Sequence, residues 1–133
     1  MLKKVSIIAL AIVLATIAAL PIFATKKQSF TFNGKTATAE LQNSGTNAGA
    51  ATYTSENHCS LTVSITGTYI VMENGVPAAK TCGNANGCFG NTAAITIYPF
   101  NAPVGTTFIV ANSVHNANDG VGSGGVALSE TYP

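Results

Sequence analysis

Arginine and tryptophan are missing from this 133-residue chain, and charged residues of both signs make up only 8% of it. All six cations are lysines, and they are not clustered along one segment. Nucleic-acid binding needs grouped Lys and Arg to displace counterions, so that class of partner is excluded. Aspartate occurs once, as Asp119, beside four scattered glutamates. Glycosidase chemistry needs two carboxylates across one cleft, and a calcium loop needs several. Beyond residue 24 no stretch of helix length repeats its apolar residues every 3.6 positions, which excludes helical folds for the body of the chain.

The first 24 residues stand apart. Lys3 and Lys4 give a basic start, Val5 to Leu20 is uncharged and almost wholly apolar, and Pro21 breaks any helix ahead of small Ala24. That layout predicts a secretory signal peptide over 1–24 and a domain over 25–133. The alternative is an uncleaved anchor, since about 20 apolar residues can just cross a bilayer. The expected contact with membrane is through this segment alone, before cleavage. The remaining 109 residues suffice for one domain with a modest core. They carry Lys26, Lys27, Lys35 and Lys80 against Glu40, Glu56, Glu73, Asp119 and Glu130.

The clearest pattern runs from His58 to Met72. Cys59, Leu61, Val63, Ile65, Gly67, Tyr69 and Val71 share one parity, and Ser60, Thr62, Ser64, Thr66 and Thr68 fill the other. A period of two marks a strand with one buried and one wet face. Fifteen straight residues would span about 50 Å, so a bend or bulge is expected at Gly67. Asn33-Gly34 and Asn74-Gly75 both predict tight hairpins, because both residues take positive φ readily. Ser29 to Leu41 is the first hairpin. Its return strand has small inward side chains, which suits an edge or a site where bulk comes from elsewhere. Gln42 to Ala50 reads as loop, Ala51 to Ser55 as a short strand, and Val76 to Thr81, with Pro77, as an edge strand or loop. Cys82 to Asn91 reads as a Gly/Asn-rich excursion. Ala93–Phe100, Thr106–His115 and Val126–Tyr132 are further strands, with a long loop over Asn116–Gly125. The sum is an all-β chain: a small antiparallel β-sandwich of about seven strands.

Cys59, Cys82 and Cys88 are candidates for a disulfide, which export would permit. The odd count leaves one over. Closing the Cys82–Cys88 loop would contribute about 2.4 kcal/mol and bridging Cys59 to Cys88 about 3.6. That difference does not overrule local proximity, and the pairing stays open.

Other motifs give way to plainer explanations. Gly120-Val121-Gly122-Ser123-Gly124-Gly125 fits G-x-G-x-x-G, but a strand follows where a helix should. His58 with the cysteines lacks the paired spacing of a zinc knuckle, so no metal or other cofactor is expected. His115, Ser113 and Asp119 allow a triad only on paper, without a nucleophile elbow. The chain therefore reads as a non-enzymatic exported domain that meets an unidentified protein or cell-surface partner, with the first and last strands able to self-associate at their edges. The alternatives are a secreted toxin or bacteriocin-like effector and, third, a small secreted enzyme. Loops on a rigid sheet commonly carry binding, which makes Asn84, Asn86, Asn116, Asn118 and Asp119 the candidate binding residues.

Overall fold

The computed structural model describes residues 24–132. The expected export signal lies almost wholly in residues 1–23, outside the described residues. Eight strands follow one another: β1 (Ala24–Phe32), β2 (Lys35–Asn43), β3 (Ala48–Tyr53), β4 (Ser60–Glu73), β5 (Val76–Phe89), β6 (Thr92–Ile97), β7 (Phe108–Asn118) and β8 (Ser123–Thr131). They form two antiparallel four-stranded sheets, ordered β1-β2-β3-β6 and β5-β4-β7-β8, packed against each other as a sandwich.

Local chemistry sets the hairpins. Asn33 and Gly34 take φ of 49° and 74°, and Asn74 and Gly75 take 53° and 78°. Positive φ at both central residues matches the right-handed twist of the flanking strands. β4 lies between β5 and β7. Its odd-numbered side chains Leu61, Val63, Ile65 and Tyr69, with Cys59 just ahead of it, meet Phe30, Phe32, Leu41 and Ala50 of the other sheet in one core. β2 is an interior strand, and the phenylalanines of β1 and β7 supply the bulk that Ala37 and Ala39 lack.

Gly67 is explained by packing rather than by a bend at its own position. A Cβ there would stand 2.3 Å from the Phe108 ring, so only glycine lets that ring into the core. The irregularity falls one residue later. Thr68 pairs with Val110 and Tyr69 with Phe108, which leaves Ile109 as an extra residue. This bulge switches parity, so Phe108 points inward together with Ala111, Ser113 and His115.

Four expectations change. The Gly/Asn-rich excursion expected at Cys82–Asn91 is strand as far as Phe89, the continuation of β5, and with Val76–Thr81 as strand the about seven strands expected number eight. β5 is the edge strand that Pro77 requires, and its residues match β4 from Glu73↔Val76 to Ser60↔Phe89. The loop expected at Gln42–Ala50 shrinks to Ser44–Asn47, and the loop expected at Asn116–Gly125 shrinks to Asp119–Gly122. The Cys82–Cys88 disulfide does not form. Six steps along an extended strand separate these cysteines by about 20 Å, far beyond the reach of about 7 Å between Cα atoms that a bridge allows. None of the three cysteines, Cys59 included, is in a disulfide.

Candidate functional site

The only described histidine in the core is His115, with 0% exposure. Thr52 Oγ1 lies 2.8 Å from its Nδ1 and Ser113 Oγ 2.7 Å from its Nε2. Thr52 has one hydroxyl proton, and it donates that proton to the Thr62 carbonyl at 2.9 Å. Nδ1 therefore carries the ring proton and donates to Thr52, while Nε2 accepts from Ser113. Burial lowers the His115 pKa to about 4, with a backbone contact at Ala51 opposing, so the ring is neutral at pH 7. Serine and histidine are thus placed as a nucleophile and base would be. Both are sealed, at 2% and 0% exposure, where no substrate reaches them. The chain runs from Ser113 through His115 to Thr52, and so ties β7 to β3 across the core.

The five candidate binding residues occupy three separate places. Asn116 and Asn118 stand on the outer face of β7, opposite Thr62 and Ser60. Asp119 sits in the β7–β8 turn and is fully engaged. Its Oδ2 accepts from Asn33 Nδ2 and Lys35 Nζ, both at 2.8 Å, and its Oδ1 accepts the backbone N–H groups of Val121 and Gly122, both at 2.9 Å. These donors, Lys35 foremost, hold its carboxyl well below the usual carboxylate range. Asp119 is therefore a clamp between the β1–β2 and β7–β8 turns rather than a vacant ligand site.

Asn84 and Asn86 belong to β5, not to a loop, on the side of the strand that faces β6. Here the edges of the two sheets meet without sharing backbone bonds. Side chains of β5 instead donate to carbonyls of β6 and its extension. Cys88 Sγ donates to Thr92 O at 2.7 Å, Asn86 Nδ2 to Ala94 O at 2.9 Å, and Cys82 Sγ to Tyr98 O at 3.2 Å. An open cleft of about 420 Å³ lies along this seam, lined by Asn84, Thr96, Tyr98 and Phe100 among others.

The outer face of the β5-β4-β7-β8 sheet has an unusual composition. Across its four strands the rows read Phe89-Ser60-Asn118-Ser123, Gly87-Thr62-Asn116-Gly125, Ala85-Ser64-Val114-Ala127, Gly83-Thr66-Asn112-Ser129 and Thr81-Thr68-Val110-Thr131. None of these positions is charged. The three acidic or lysine residues in these strands are Glu73, Lys80 and Glu130, all on the opposite parity. Ordinary soluble surfaces carry roughly a quarter to a third charged residues. This face exists only once four separate strands are in register, so no single stretch of sequence displays it.

Among the described residues, no three His, Cys, Asp or Glu side chains converge as metal ligands. No family model matches the chain, and no curated protein or solved structure is significantly similar to it.

Proposed function

We propose that the protein is an exported, non-enzymatic interaction and structural domain at the cell exterior, and that it assembles with copies of itself. The contact is the outer face of the β5-β4-β7-β8 sheet. The observation that carries this reading is the five-row face of Gly, Ala, Ser, Thr, Asn, Val and Phe without one charge. Charge on an exposed face opposes association, and its removal is characteristic of the centre of an interface. The size is suitable. Four strands about 4.8 Å apart and five rows about 6.8 Å apart make roughly 650 Å², close to the ~800 Å² each partner contributes to a standard interface. Small side chains let two twisted sheets approach closely, aligned as in a sandwich.

The sealed Ser113–His115 pair supports a role without catalysis. The apolar segment Val5–Leu20 supports export.

Sedimentation velocity on the purified protein tests the reading. The unaltered chain is expected to associate at tens of micromolar, and Ser64→Lys, at the centre of the face, is expected to make it monomeric with unchanged circular dichroism. A strictly monomeric unaltered protein, or a Ser64→Lys variant that still associates, overturns it.

A further inference from the structure

The seam between β5 and β6 follows a rule with one exception. Its donors and acceptors pair as Cys88 with Thr92, Asn86 with Ala94 and Cys82 with Tyr98. One strand steps down by two residues as the other steps up by two, so the missing rung is Asn84 with Thr96. The alternation that brings the carbonyls of Thr92, Ala94 and Tyr98 to this edge brings the Thr96 carbonyl there too. Asn84 resembles Asn86 in one respect. Each side-chain oxygen accepts the next residue's N–H, at 2.9 Å in both cases. They differ at the amide nitrogen. That of Asn86 donates to Ala94, and that of Asn84 has no acceptor among the described residues. The cleft opens at this rung.

Beside it stand Tyr98 and Phe100, at 64% and 69% exposure. Both are held by their backbones. Cys82 bonds the Tyr98 carbonyl, and the Tyr69 hydroxyl donates to the Phe100 carbonyl at 2.7 Å. The backbone that carries the two rings is thus fixed in advance, which lowers the ordering cost of binding. No charged residue lines the cleft.

We propose that this cleft is a binding site for a neutral saccharide. The Asn84 amide offers a donor and the Thr96 carbonyl an acceptor. A sugar hydroxyl is both donor and acceptor, so neighbouring hydroxyls satisfy the two together. The apolar C–H face of a pyranose ring covers Tyr98 or Phe100, an aromatic surface that water otherwise wets. The uncharged lining selects against phosphate, carboxylate and sulfate esters, whose desolvation nothing here offsets. The cleft volume is within the usual range of about 300–1,000 Å³ for small-molecule sites. The site is independent of the uncharged sheet face and stands whether or not that face self-associates.

Nitrogen-15 NMR titration of the purified protein is the test. The probes are cellohexaose, maltohexaose, chitohexaose and a linear mannohexaose, with a heparin hexasaccharide as the charged control. At least one neutral probe is expected to give saturable shifts at the Asn84 side-chain amide and over residues 96–101, at concentrations up to about 10 mM. Asn84→Ala and Tyr98→Ala should each weaken that binding about tenfold or more. Both positions are exposed, so the spectra elsewhere should be unchanged. The proposal is overturned if no neutral probe shifts these residues, if only the heparin fragment does, or if both variants bind like the unaltered chain. Shifts at the cleft that follow protein concentration instead of sugar also overturn it, and assign the cleft to a second copy.

Discussion

His115 Nδ1 donates its proton to Thr52 Oγ1 across the interior of the sandwich, at 2.8 Å. One residue belongs to β7 and the other to β3, in different sheets. A polar bond at the centre of an apolar core fixes how the two layers slide against one another, because a shifted layer would leave the imidazole N–H and the Thr52 hydroxyl unpaired. Burial of the imidazole also makes the fold pH-sensitive. The His115 pKa is near 4 when folded and near 6.5 in the unfolded chain. Between these values the unfolded state holds more protons, so stability is complete above pH 6.5 and falls as the pH drops towards 4. Linkage gives a loss of about 2 kcal/mol from pH 7.5 to pH 5. Urea unfolding at the two pH values measures it, and His115→Gln should remove most of the difference while lowering stability at pH 7.5.

Asp119 joins two turns that lie far apart in sequence, through Asn33 and Lys35 on one side and the Val121 and Gly122 amides on the other. Asp119→Ala should lower the urea midpoint and speed hydrogen exchange at Val121 and Gly122. Asp119→Asn keeps an oxygen for those two amides and should cost less. Since the folded carboxyl titrates well below the ordinary range, its contribution should persist at pH 5 and fade only as the pH falls below that of a free aspartate.

Cys82 and Cys88 are separated along β5 and bond carbonyls at different rungs of the seam. Both are half-buried thiols. Each should take one maleimide without denaturant, adding two adducts to the intact mass, and no treatment with a mild oxidant should join them within one folded chain. An oxidised Cys82–Cys88 peptide from the native protein would contradict the strand assignment of β5.

Much of this architecture is legible from residue order. The alternation from Cys59 to Val71 is β4, and Asn33-Gly34 and Asn74-Gly75 are the turns that their φ values require. What misleads is composition. Residues 82–89 are rich in Gly and Asn, which local propensity assigns to loop, yet β4 pairs with all of them and their side chains satisfy the edge of β6. The parity of β7 is hidden for a related reason. The bulge at Ile109 depends on pairing with β4, so Phe108 cannot be placed on the inner face from its own strand alone. The candidate asparagines were legible as residues but not as a site. Asn86 spends its amide on the β6 carbonyl opposite and Asn84 does not, and that is a relation between strands.

The contact between Gly67 and Phe108 gives the sharpest test of the core. A methyl group at residue 67 would fall 2.3 Å from the Phe108 ring, which is fully buried and has a T-shaped contact with Tyr69 at 5.9 Å between centroids. That ring cannot yield without disturbing Tyr69, whose hydroxyl holds the Phe100 carbonyl. Gly67→Ala should therefore destabilise by about 1–3 kcal/mol, although alanine is otherwise the better strand residue. Phe108→Leu alone leaves a partial cavity and should cost on the order of 1–2 kcal/mol. Together the two changes should cost less than their sum, because the smaller side chain vacates the space that the new methyl group needs. Guanidinium denaturation of the four proteins in the cycle supplies the coupling energy. Strict additivity would mean that the ring does not pack on Gly67.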